Sequence, residues 1–197
     1  HGWSGSPNFW NPIKNHLGES ITPIFPILPA HGDEPSLQDL GIDGLEGMAR
    51  HLIHSLGVAD GIPYYLCGYS LGGRIALEWN RQLHDSEFAP KGLALISAGF
   101  SNLGAGESRR KLDLERAEKL RREPKDFWQE WYRQEIFGGL SQADIDQRIS
   151  EKKQHNSHHL AEALERLNPE TVEACRQNLP QSPQPLRSAE APVKTDC

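Results

Sequence analysis

Gly68-Tyr69-Ser70-Leu71-Gly72 stands between a short apolar run, Tyr64-Tyr65-Leu66-Cys67, and a helical pattern, Arg74-Ile75-Ala76-Leu77-Glu78-Trp79. A serine at a sharp strand-to-helix turn needs small neighbours, because its backbone is strained and the two elements pack closely there. Glycines on both sides meet that need. The helix start behind Ser70 also offers unpaired N–H groups and a positive dipole end, which favour an alkoxide or oxyanion. The stretch reads as a nucleophile elbow.

Working outward, the chain begins His1-Gly2-Trp3-Ser4-Gly5, and Leu28-Pro29-Ala30-His31-Gly32 lies between this loop and the elbow. The three together resemble the α/β hydrolases, where an HG-x-x-G loop gives one backbone N–H to the oxyanion hole and the residue after the nucleophile gives the other. That resemblance implies the amides of Trp3 and Leu71 as the donors. The fold class expected is α/β: a mostly parallel sheet with helices on both faces and an inserted helical cap.

Strands are expected at Ile21–Leu28, weakened by Pro23 and Pro26, at Tyr64–Cys67 and at Leu93–Ile96. Gly44–Leu56 carries Leu45, Met48, Ala49, Leu52, Ile53 and Leu56 at the spacing of one helical face. The last two strands flank the helix after Ser70, which predicts a right-handed parallel crossover. Residues 107–166 are charged and helical in pattern, with Phe127, Trp128 and Trp131 among them, and read as the cap. The organisation is thus a core over 1–103, a cap over 104–179 and a Pro-, Ser- and Gln-rich tail over 180–197.

The 197 residues carry a formal net charge of −6, which argues against nucleic acid as the principal partner. No apolar run approaches the roughly 20 residues of a membrane span. Three cysteines, Cys67, Cys175 and Cys197, show no metal spacing. With Cys67 in an expected buried strand, they suit a reduced, cytoplasmic protein without a disulfide framework. Composition leaves the oligomeric state open.

This fold orders its triad as serine, acid, histidine. After Ser70 come His84, His155, His158 and His159, and none follows an expected strand. The acid and the histidine are therefore expected beyond this chain, with Asp196 a poor candidate for the acid. The strand before the HG loop would likewise precede His1. Ile21–Leu28 and Tyr64–Cys67 should then stay unpaired, with a slot of roughly 10 Å between them. His155, His158 and His159 have a spacing open to metal ligation, but they lack a carboxylate or cysteine partner and are expected on the surface, with no metal site.

Arg74 after the serine and Trp131-Tyr132-Arg133-Gln134 with Ile136-Phe137 in the cap resemble the 2-succinyl-6-hydroxy-2,4-cyclohexadiene-1-carboxylate synthase family of menaquinone biosynthesis, over about residues 1–179. The resemblance implies a lyase without metal or organic cofactor, which eliminates pyruvate from a polycarboxylate intermediate with the triad serine as base. It implies catalytic Ser70 and substrate contacts from Tyr69, Arg74, Arg109 (with Arg110 as neighbouring candidate), Trp131 and Lys152, the last standing where the family has an arginine. Plainer readings stand beside these. Arg74 has Glu78 one turn on as a surface partner, Arg109 lies in a charged helix face, and Tyr69 and Trp131 suit a core. A carboxylesterase or thioesterase, or an inactive hydrolase-like binding module, remains the alternative.

Overall fold

The computed structural model describes residues 1–57, 62–98 and 106–167. Cys175, Asp196, Cys197 and the tail 180–197 lie outside these. Short helical turns over Pro7–Trp10 and α1 (Asn11–Lys14) follow the first loop. Then come α2 (Gly44–Ser55), β1 (Tyr65–Tyr69), α3 (Leu71–Leu83) and β2 (Gly92–Ile96). The remainder is helical: α4 (Gly106–Arg122), α5 (Pro124–Trp131), a 3-10 turn at Glu135–Phe137, α6 (Gln142–Glu151), a second at Lys152–Gln154, and α7 (Ser157–Arg166).

β1 and β2 pair in parallel, from Tyr65 opposite Gly92 to Tyr69 opposite Ile96, joined across α3 as the sequence predicts. The period-2 alternation of a strand turns Leu66, Leu93 and Leu95 toward a core built with Leu71, Ile75, Leu77 and Trp79 of α3. Leu45, Met48, Ala49 and Leu52 of α2 close that core from the far side of α3. Full burial of each such side chain contributes roughly 1.5–3 kcal/mol. Gly57, at φ 65°, ends α2 in the left-handed conformation that glycine takes without a Cβ penalty.

Three expectations fail here. Ile21–Leu28 forms no strand among the described residues, and Ile21, Ile24 and Ile27 are exposed. No described strand lies beside it to offer a ladder, and Pro23 and Pro26 remove two donors. It makes no ladder with β1 among the described residues. Among the described residues helices cover one sheet face, not two. On the other face Tyr65, Ala94 and Ile96 are exposed, because α2 stacks on α3 and the later helices gather round a core of their own. Cys67 projects from that same face and is exposed, not buried.

The second core joins Ala117, Leu120, Phe127, Trp128, Tyr132, Ile145, Leu160 and Leu164. Its helices start cleanly. Ser141 and Asp144 form a reciprocal capping box on α6, and the Asn156 side chain accepts from the His158 and His159 amides at the start of α7. Trp3 packs against both cores. That indole joins the first loop to the helical segment.

Candidate active site

Ser70 sits at φ 50°, ψ −114°, a conformation that costs a non-glycine residue about 1–3 kcal/mol and persists only where its surroundings fix it. Those surroundings are specific. The Ser70 amide donates to the Ile96 carbonyl at 2.9 Å, and the Gly73 and Arg74 amides donate back to the Ser70 carbonyl at 3.0 and 3.1 Å. A Cβ on Gly68 would come within 2.3 Å of the Gly72 carbonyl oxygen, so only glycine allows strand and helix to meet this closely. The Ser70 side chain makes no capping bond to α3.

The first loop lies directly on this turn. A Cβ on Gly2 would lie 3.0 Å from the Tyr69 ring and 3.3 Å from Ser70 Cβ, and one on Gly72 would lie 2.6 Å from the His1 carbonyl oxygen. The Gly72 amide donates to that carbonyl at 3.1 Å. Tyr69 stacks on Phe9 with centroids 4.6 Å apart. Among the described residues no hydrogen bond occupies the backbone amide of Trp3 or of Leu71. The Trp3 indole donates to the Leu160 carbonyl at 3.0 Å and meets Trp131 and Trp128 at 5.0 and 5.5 Å between centroids.

Three histidines bind backbone amides of the first loop and of the turn at residues 28–32. His31 is fully buried. Its Nε2 accepts from the Ser4 amide at 3.2 Å and its Nδ1 faces the Pro29 carbonyl at 3.0 Å, partners that suit the neutral ring protonated on Nδ1. Burial pushes its pKa down to about 4, against the bond to Pro29 and with help from His155. His1 Nε2 accepts from the Leu28 amide at 3.3 Å, and its ring lies 5.1 Å from that of His31. His155, expected on the surface, is buried. Its Nδ1 accepts from the Gly32 amide at 2.8 Å, and desolvation brings its pKa to about 4. The orphan amide of a tight turn needs an acceptor, and His155 supplies it. His158 is exposed, and the described residues hold no group of three or more His, Cys, Asp or Glu placed to bind a metal ion.

The cations fall into two places. Glu78 pairs with Arg81, and the Arg74 guanidinium reaches the Leu167 carbonyl at 3.5 Å. Burial lowers its pKa to about 10, Arg109 adds repulsion, and Asp113 opposes both. Arg109 meets buried Asp113 at 2.8 Å, and Arg116 meets the same carboxylate at 3.5 Å. Arg116 also donates to Gln134 at 3.1 Å and lies 4.9 Å over the Trp131 ring. The Gln134 amide donates to the Trp131 carbonyl at 2.9 Å. Two guanidinium groups, Arg109 and Arg116, thus share one carboxylate beside a tryptophan, and Arg74, one helical turn from the serine, feels the charges of Arg109 and Asp113. Arg110 is on the exposed side of α4. Lys152 stands apart, donating to the Ser4 carbonyl at 2.5 Å.

A strained serine between a parallel strand and a helix, under a glycine loop, is the arrangement of one fold family. A family profile described as "Alpha/beta hydrolase family" matches residues 1–193. The chain belongs to the alpha/beta hydrolase family. Among curated relatives, the chain is 28% identical over 170 residues to the 2-succinyl-6-hydroxy-2,4-cyclohexadiene-1-carboxylate synthase of Citrobacter koseri, covering 84% of this chain and 64% of the relative. It is 31% identical over 169 residues to the enzyme of the same name from Yersinia pestis, covering 84% and 60%. A solved structure titled "Structure of MenH from S. aureus" superposes with a TM-score of 0.69 at 23% identity, over 85% of this chain and 64% of that one, which supports the fold. The chain spans under two thirds of the length of these relatives. Among its described residues no helix is long and apolar enough to cross a membrane.

Sequence reasoning missed Arg116, Asp113 and the burial of His31 and His155. Arg109, Asp113 and Arg116 recur at helical spacing on α4, a legible signal. His31 and His155 carry none, because their partners are amides distant in the chain.

Proposed function

We propose that this chain is the serine-bearing part of a cofactor-free, cytoplasmic lyase that eliminates pyruvate from 2-succinyl-5-enolpyruvyl-6-hydroxy-3-cyclohexene-1-carboxylate. The observation that carries the reading is the guanidinium group of Arg74, Arg109 and Arg116 beside the elbow. An esterase pocket is mainly apolar, whereas two arginines sharing one carboxylate, with Arg74 close by, retain positive charge for a polyanionic substrate. The relatives that bear the synthase name support the same reading. Residues 106–167 act as the cap in this scheme.

Ser70, deprotonated by a histidine outside the described residues, takes the ring proton. The electron pair forms a ring double bond as the C–O bond to the enolpyruvyl group breaks, and the departing enolate becomes pyruvate on protonation. The Trp3 and Leu71 amides stabilise the oxyanion that develops. Arg74 and Arg109 hold carboxylates through charge-assisted bonds, while Tyr69 and Trp131 line the ring site.

Pyruvate release tests this. Residues 1–197 alone should be essentially inactive, whereas the reading frame extended past Cys197 should turn over without added metal and lose activity on Ser70→Ala. Substantial Ser70-dependent turnover by residues 1–197 would overturn the assignment of the base. Turnover of neutral esters alone by the extended protein would overturn the substrate.

A further inference from the structure

We propose that Lys152 is a positioning residue of the oxyanion hole: its ammonium, brought in from the end of α6, holds the Ser4 carbonyl and so fixes the neighbouring Trp3 amide. This rests on the reading that Trp3 serves as an oxyanion donor, and it removes Lys152 from the set of substrate cations.

Ser4 is buried and sits at φ 57°, a strained conformation for a side chain with a Cβ. A strained residue keeps its geometry only when its surroundings over-determine it. Here both backbone groups of Ser4 end on side chains from elsewhere in the chain. Its amide donates to His31 Nε2 at 3.2 Å and its carbonyl accepts from Lys152 Nζ at 2.5 Å. On the other flank the Trp3 indole donates to the Leu160 carbonyl of α7 at 3.0 Å. The Trp3 amide therefore lies between two anchors that both come from the helical segment, with a third at His31. The Lys152 ammonium also lies 5.6 Å over the Trp128 ring, and Trp128 packs on Trp3. One lysine thus braces the loop through its carbonyl and through its aromatic seat. A charge-assisted bond to a buried carbonyl is among the stronger ones. A donor displaced by about 1 Å forfeits much of its effect on an oxyanion.

Burial lowers the Lys152 pKa to about 8, with Arg148 lowering it further and Glu151 opposing. His31 on the turn and His155 beside it also face this charge. The brace should therefore weaken as pH rises through about 8.

The test compares wild type, Lys152→Met and Lys152→Arg in the extended protein, on the polycarboxylate substrate and on the neutral ester p-nitrophenyl acetate. Lys152→Met should lower kcat by about 10- to 100-fold on both, with KM within about twofold, and Lys152→Arg should restore most of it. The arginine variant should also lose the fall in kcat above pH 8, since arginine stays charged. In residues 1–197, amide hydrogen exchange at Trp3, Ser4 and Gly5 should quicken in Lys152→Met and recover in Lys152→Arg. A rise in KM confined to the polycarboxylate, or unchanged exchange at these amides, would overturn the proposal and return Lys152 to the substrate. If wild type cleaves the ester but releases no pyruvate, the lyase reading fails while the ester kcat still decides the role of Lys152. If it turns over neither, the exchange measurement decides.

Discussion

The elbow and the segment 21–28 are both short apolar stretches that the sequence marks as strand, yet only the elbow strand forms. β1 has β2 beside it, α3 over one face, and a turn whose amide donates to the Ile96 carbonyl at 2.9 Å. Residues 21–28 have the apolar side chains but no strand beside them among the described residues; the backbone partners found lie at the two ends, Ile21 with Gly18 and Leu28 with His1 and His31. The difference is where each is specified. An elbow is determined within a few residues by glycines and strain, whereas a strand exists only through a partner distant in sequence.

The largest expected effect attacks the local half of that contrast. Gly68→Ala places a methyl 2.3 Å from the Gly72 carbonyl oxygen, so one of the two elements must move. Urea unfolding should show a loss of at least about 4 kcal/mol. A loss below 1 kcal/mol would mean that the turn is far softer than its geometry implies.

Next in size is the pH response of the loop. His31 has its folded pKa lowered to about 4 from an unfolded value of about 6.5. The unfolded chain therefore binds more protons between these values. The stabilisation is complete above about pH 6.5 and is lost as pH falls through about 4, on the order of 3 kcal/mol. His155 acts in the same window. Unfolding free energy measured from pH 7 to 4 should fall accordingly, and His31→Gln should flatten the dependence. An unchanged slope in that variant would remove His31 as its cause.

Arg74→Ala carries the comparison into chemistry. In the extended protein it should reduce kcat/KM for the polycarboxylate by about 50-fold, or roughly 2 to 3 kcal/mol, and change neutral-ester turnover little. Equal losses on both substrates would make Arg74 structural. The smallest effect belongs to the unpaired segment. Ile24 is 66% exposed, so Ile24→Ala should shift unfolding free energy by less than about 0.5 kcal/mol. A loss of 2 kcal/mol would show that residues 21–28 have a partner after all.

These contrasts explain what the sequence made legible. Ser70, its glycines, the His1–Gly5 loop and the face of α2 follow from rules acting over a few residues, and each lies where the pattern put it. Cys67 was misjudged because strand alternation tells which residues share a face, not which face is covered. His155 was misjudged because its reason for burial is the Gly32 amide, far back in the chain. The Trp131-Tyr132-Arg133-Gln134 stretch was recognisable as a pattern. Its physical sense emerges only with α4 in place, where Gln134 ties Arg116 to the tryptophan.

Trp3 has a consequence for inheritance. Its indole belongs to the core of the helical segment as much as to the glycine loop that carries it. Exchange of residues 106–167 for the insertion of a distant cousin would leave that ring facing foreign neighbours and the Leu160 carbonyl without its donor. Loop and helices should therefore pass between lineages together, and a chimera should work only when the donor's counterpart of Trp3 travels with its helices.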